Sequence, residues 1–105
     1  MSIFNIFNRG NQFDEGIEKA RNTAGAVLLD VRTKEEFKSG HVPGAVNFPL
    51  DDLYSTNLDK GTPLFVYCLS GARSRQACSY LKGQGYEATN IGGISSYSGE
   101  IERER

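Results

Sequence analysis

Two apolar runs without a polar face constrain this chain more than any other feature. Ala26-Val27-Leu28-Leu29 leads into Asp30-Val31, and Leu64-Phe65-Val66-Tyr67 leads into Cys68. A strand with one face in water alternates apolar and polar side chains. A continuous run fits a strand buried on both faces, as in a parallel sheet covered by helices.

Helical patterns stand between the strands. Phe13 to Arg21 places Phe13, Ile17 and Ala20 or Arg21 at helical spacing, with Asp14 and Glu15 near its start and Lys19 and Arg21 near its end. Thr33-Lys34-Glu35-Glu36 reads as a capping box, Phe37 as its apolar anchor and Gly40 as the stop. His41 to Gly44 is a turn, Ala45 to Phe48 a short strand closed by Pro49, and Asp51 to Tyr54 one or two helical turns. Arg73 to Gln84 reads as the longest helix, with Ala77, Cys78 and Leu81 on one face. Tyr86 to Ile91 is a last strand that Gly92-Gly93 should break, Ile94 to Ser98 forms a final turn, and the charged end from Glu100 to Arg105 should fray. This alternation predicts an α/β fold with helices on both faces of a parallel sheet, and ligands then bind beyond the carboxyl ends of the strands. Asp30, Arg32 and Cys68 all fall at such ends.

At 105 residues the chain is long enough for one core. Residues 12–105 are expected to form a single domain behind a flexible lead-in, residues 1–11. In that lead-in Ile3, Phe4, Ile6 and Phe7 are expected to pack on the domain or on a partner. A formal net charge of −1 makes no electrostatic case for nucleic acid or an anionic membrane. Two cysteines and one histidine are too few for a standard structural zinc site or a disulfide framework. The N-terminus has neither a basic region nor an apolar run of export-signal length. The expectation is a reduced, cytoplasmic compartment in which a reactive thiol stays free.

The candidate chemistry sits at Cys68-Leu69-Ser70-Gly71-Ala72-Arg73-Ser74. A strand delivers a thiol to a loop of small residues at a helix start, where unpaired N–H groups favour an anion and lower a thiol pKa. Cys68 reads either as an inert buried cysteine or as a nucleophile. Arg73 either binds an anion with its fork or pairs with a carboxylate, and both can hold at once. Ser70 and Ser74 either donate to a bound anion or cap the helix. Cys78, on the apolar helix face, reads as core filling. Asp30 and Arg32 read as substrate groups or as supports that orient the cysteine loop, and for Asp30 the supporting role is preferred, since a nearby carboxylate would raise a thiol pKa. His41, confined to a turn, reads as structural, so activation of Cys68 falls to N–H groups and Arg73.

Together these residues resemble the rhodanese family, specifically its single-domain sulfurtransferases. The resemblance is carried by Leu28 to Arg32, Glu36-Phe37, Gly40 to Pro49, Val66-Tyr67-Cys68, Ser70-Gly71, Arg73-Ser74, Gly85-Tyr86 and Asn90 to Ile94. It implies a rhodanese-like, five-stranded parallel sheet flanked by helices. It implies that Cys68 takes up a sulfane sulfur as a persulfide, held by N–H groups of Leu69, Ser70, Gly71, Ala72 and Arg73. Asp30, Arg32 and Ser74 then act as supports, and no metal or cofactor is needed. In the family's standard assay thiosulfate gives the sulfur and cyanide takes it. The expected partners are a small sulfur donor and a thiophilic acceptor, including a protein persulfide or thiol, with no nucleic acid and no membrane, in a monomer or weak homodimer.

The loop departs from some relatives in that Leu69, Ser70, Gly71 and Ala72 carry no charge, where further cations would suit thiosulfate; the donor is read as thiosulfate or a low-molecular-weight or protein persulfide. Tyr97 stands where many relatives have tryptophan, a packing difference. Two other readings remain at this level: a non-catalytic binding module on the same fold, and a small cysteine phosphatase or arsenate reductase. The latter enzymes place five residues between cysteine and arginine, and here there are four.

Overall fold

The computed structural model describes residues 11–104. The expected lead-in, apart from Asn11, and Arg105 lie outside the described residues. Helix α1 (Gln12–Arg21) begins where the Asn11 side chain accepts the Asp14 N–H at 3.0 Å, and it buries Phe13, Ile17 and Ala20. Strand β1 (Val27–Asp30) follows, then helix α2 (Lys34–Ser39), whose start is a complete capping box between Thr33 and Glu36. Strand β2 is only Val46–Asn47, and a 3₁₀ helix covers Leu50–Ser55. Strand β3 (Leu64–Cys68) is buried along its whole length. Helix α3 (Ala72–Gly83), strand β4 (Ala88–Gly93) and a 3₁₀ turn at Ile94–Ser96 complete the order.

The strands are all parallel, in the order β2-β1-β3-β4. Successive β3 side chains point to opposite faces, and the core divides accordingly. Leu64, Val66 and Cys68 join Leu29, Ala77, Cys78 and Leu81 under α3. Phe65 and Tyr67 join Phe13, Ile17, Ala20 and Ile91 under α1. Tyr97 packs edge-on against Phe13, with ring centroids 5.7 Å apart.

Three expectations need correction. Among the described residues the sheet has four strands, not five. The described chain holds only four runs that pair into the sheet, and its remaining extended stretch near Glu102 makes a single antiparallel bridge to His41 instead. Gly92-Gly93 does not break the last strand. A bulge pairs Tyr67 with Gly92 and Cys68 with Gly93, and Gly92 takes a φ of 108° that suits glycine. The charged end does not simply fray: His41 and Glu102 exchange both backbone hydrogen bonds at 2.9 Å, and the Glu104 N–H reaches the Lys38 carbonyl at 3.0 Å.

Candidate active site

Cys68 ends β3 on the α3 face, and its residue is almost wholly buried. The chain turns through Leu69, Ser70 and Gly71, with Gly71 at a φ of 106°, and α3 starts at Ala72. No side chain caps this helix start in the usual way. Neither Ser70 nor Ser74 takes that role. Sulfur occupies the capping position: Cys68 Sγ accepts the Gly71 N–H at 3.0 Å, the Ser74 N–H at 3.4 Å and the Ser74 hydroxyl at 3.5 Å. The orphan donors of a helix N-terminus thus converge on the thiol.

These donors set its chemistry. Burial pushes the Cys68 thiol up, but hydrogen bonds from the Ser74 side chain and from the Ser74, Gly71 and Ser70 N–H groups outweigh it, so the pKa lies below the ordinary value. Cys78 has no such donors, and burial pushes it up to about 11. The two thiols therefore shift in opposite directions: donors favour the thiolate at Cys68, and burial disfavours it at Cys78.

The rest of the loop's setting comes from residues distant in sequence. Arg73, the second residue of α3, turns its fork onto Glu36, with Nη1–Oε1 at 2.7 Å and Nη2–Oε2 at 2.9 Å. Asn90 on β4 links three parts of the cradle. Its Oδ1 accepts the Ser74 hydroxyl at 2.7 Å and the Gly92 N–H at 3.0 Å, and its Nδ2 donates to the Gly71 carbonyl at 3.2 Å. The Ser74 hydroxyl has one proton, and Asn90 Oδ1 is a closer acceptor than Cys68 Sγ.

Asp30 and Arg32 sit apart from this cluster's hydrogen bonds. Both are buried, and the Asp30 carboxylate takes the Arg32 backbone N–H at 2.9 Å and its guanidinium at 2.7–3.1 Å. Arg32 also donates to the Gly40 carbonyl at 2.7 Å. Burial lowers the Arg32 pKa while Asp30 raises it, and the net direction is up. Among the described residues no hydrogen bond joins Asp30 to the cysteine loop; the pair fastens β1 to the turn after α2. His41 is buried, stacks on Phe37 at 3.6 Å between centroids, and bonds the Phe37 carbonyl through Nδ1 at 2.7 Å.

Hollows open on two sides of the loop. One is lined by Asn11, Phe13, Ser70, Gly92 and Gly93, the other by Ser70, Gly71, Ala72, Arg75 and Asn90. Sequence reasoning did not name Glu36 as the partner of Arg73, and it placed Asn90 only within the resemblance, with no role assigned. The only local hint for Asn90 was its place two residues before a glycine pair.

The arrangement is a buried thiol at a helix start, held by N–H donors that favour its thiolate form. A sequence model of the Rhodanese-like domain family matches residues 12–100. A sulfurtransferase of Allochromatium vinosum is 35% identical over 85 residues, covering 77% of this chain and 79% of that protein. A putative sulfurtransferase of Bacillus subtilis, YtwF, is 36% identical over 86 residues, covering 79% of this chain and 84% of that protein. The chain also matches longer proteins of which it spans a small part, such as 24% of a probable molybdopterin-synthase adenylyltransferase of Porphyra purpurea. Among solved structures, a rhodanese-like domain protein from Staphylococcus aureus superposes with a TM-score of 0.78 at 29% identity, over 89% of this chain and 95% of that one.

Proposed function

The chain belongs to the rhodanese family, as a small sulfurtransferase-type domain, and from that premise we propose that it carries sulfane sulfur on Cys68 as a persulfide. The observation that carries this reading is the convergence of the Gly71 and Ser74 N–H groups on Cys68 Sγ. In the first half-reaction the thiolate attacks the outer sulfur of the donor. A new S–S bond forms, and the donor's own bond breaks with its electron pair leaving on the departing group, sulfite in the case of thiosulfate. In the second half-reaction a thiophilic acceptor attacks the outer sulfur, and the Cys68 thiolate is regenerated. With cyanide the product is thiocyanate. The persulfide's terminal sulfur carries negative charge, which the loop N–H groups of residues 69–73, with Ser74, are suited to hold.

The loop adds no charged side chain of its own between Cys68 and Arg73. That composition favours a low-molecular-weight or protein persulfide as donor over thiosulfate. A cytoplasmic setting, which keeps thiols reduced, fits this chemistry. Among the described residues no helix is long and apolar enough to cross a membrane.

The test is intact mass spectrometry after incubation with a panel of sulfane donors. The expected result is a gain of one sulfur on Cys68, removed by cyanide and absent in Cys68→Ser. A wild-type protein that never gains this mass with any donor refutes the reading. Cys68-dependent hydrolysis of an aryl phosphate without sulfur uptake would support the phosphatase alternative instead.

A further inference from the structure

We propose that Glu36 selects the charge of the donor, by closing the Arg73 guanidinium into an ion pair and so withdrawing it as a ligand for small dianions; the choice of donor rests on the sulfur-transfer reading above. Arg73 is the cation that ends the cysteine loop. A free guanidinium fork there would grip a sulfonate-like head bidentately, as such forks grip carboxylate and phosphate. The fork is already filled. Both Glu36 oxygens meet it, at 2.7 and 2.9 Å.

Glu36 is itself held in place. Its Oε1 also accepts the Thr33 N–H at 2.9 Å and the Thr33 hydroxyl at 3.1 Å, so one carboxylate serves both the start of α2 and the fork. The Arg73 hydrogen bond, outweighing burial, holds the Glu36 carboxyl down at about 2, so the pair stays charged on both sides throughout the physiological range. Arg73 senses the charge of Cys68. Its release would therefore be felt at the thiolate. Arg32, a buried arginine at this edge of the sheet, is closed in the same way by Asp30. Arg75 lines the hollow beside Ser70 and Gly71.

This arrangement accounts for a sulfur site that carries an arginine yet lacks a ready anion clamp. A dianion gains little from a neutralised fork. A donor whose sulfur is delivered by a singly charged or protein-borne persulfide loses nothing by it.

Glu36→Gln tests the inference directly. Glutamine can keep the bond to the Thr33 N–H, because the capping box accepts either residue, but it gives up the charge that neutralises Arg73. Two readouts are used, both with Arg75→Gln as a common background so that its charge cancels. The first is protection of Cys68 from iodoacetamide by sulfate, a dianion, and by methanesulfonate, a monoanion. Neither takes part in sulfur transfer. In the Glu36→Gln protein sulfate should protect at about fivefold lower concentration, with methanesulfonate shifted much less. The second is the KM for thiosulfate against that for methanethiosulfonate. Glu36→Gln should lower the first selectively, with kcat little changed.

Glu36→Asp keeps a carboxylate for the helix start but shortens its reach by one methylene. It should shift both ratios the same way by less, and it stands in where Glu36→Gln does not fold. Unchanged sulfate protection in a folded variant overturns the inference. Selective protection with no sulfur uptake from any donor leaves the inference standing and refutes sulfur transfer.

Discussion

A side chain on Gly93 would run into the carbonyl group of Leu69: a Cβ built there overlaps the Leu69 carbonyl and the Ser70 Cα. The last sheet residue opposite Cys68 must be glycine for the cysteine loop to close over it. The backbone makes use of this closeness, since the Ser95 N–H donates to the Leu69 carbonyl at 3.1 Å just beyond it.

Gly93→Ala should therefore push the loop off its seat. The cost expected for overpacking a tight contact is about 1–3 kcal/mol. Sulfur uptake should fall by more than stability does, because the Gly71 and Ser74 N–H groups lose their aim at Sγ. Thermal unfolding and cyanide-releasable sulfur, measured on the same samples, separate the two effects. Wild-type uptake in this variant would show that the contact has no part in the site.

The thiol's own titration provides a second check. The Cys68 pKa lies below the ordinary value, so its alkylation by iodoacetamide should stay fast as pH falls from 9 and decline only once the pH drops through that lowered pKa. Cys78, pushed up to about 11, should react little at neutral pH in the folded protein. Ser74→Ala removes one donor and should move the Cys68 midpoint upward. The shift should be modest, because the hydroxyl proton is shared with Asn90 Oδ1. A downward shift would contradict the arrangement of donors.

Acid stability should register the Glu36–Arg73 pair. Glu36 is lowered in the folded state from 4.5 to about 2, with the Arg73 hydrogen bond as the main cause. A depressed carboxyl stabilises the fold at pH values above its unfolded pKa, and that contribution is lost as pH falls through the folded one. The window is thus from about pH 4.5 down to about 2. The two side chains are 30% and 35% exposed, so solvent screening reduces the contribution to about 1 kcal/mol. Urea unfolding at pH 6 and pH 3 should show a smaller loss in Glu36→Gln than in wild type. Equal losses would mean that the pair does not couple to folding.

These contacts also mark what the sequence does and does not make legible. Apolar runs at Ala26–Val31 and Leu64–Tyr67 announce strands buried on both faces, because burial on both faces leaves no polar position in the pattern. The Thr33–Glu36 capping box can be read directly, since both partners lie within one turn. The loop from Cys68 to Arg73 is legible for the same local reason. Glu36 is harder. Its capping role gives it a complete local explanation, and its second partner lies 37 residues away, where no periodicity points. Asn90 joins Ser74 across 16 residues through a bulge that exists only once β3 and β4 have paired. The glycine pair read as a strand breaker because glycine's local preference is to break; its tertiary role, allowing close approach, is visible only in three dimensions.

The tail gives the last prediction. Charge and terminal position argue for fraying from Glu100 onward, yet Glu102 and His41 exchange two backbone hydrogen bonds, and the Ile101 side chain lies against Gly40. The same turn is held from the other side, where Arg32 donates to the Gly40 carbonyl and His41 bonds the Phe37 carbonyl. Helix α2, which carries Glu36, is thus clasped between the tail and the Asp30–Arg32 pair. Deleting residues 101–105 removes three backbone bonds donated or accepted by the tail. The net loss expected is about 1–3 kcal/mol, at roughly 0.5–1.5 kcal/mol for each bond and with partial replacement by water. Hydrogen exchange should rise first in Lys34–His41, while the amides of β3 in the sheet centre stay protected. Unchanged exchange in α2 after the deletion would show that the tail merely rests on the domain.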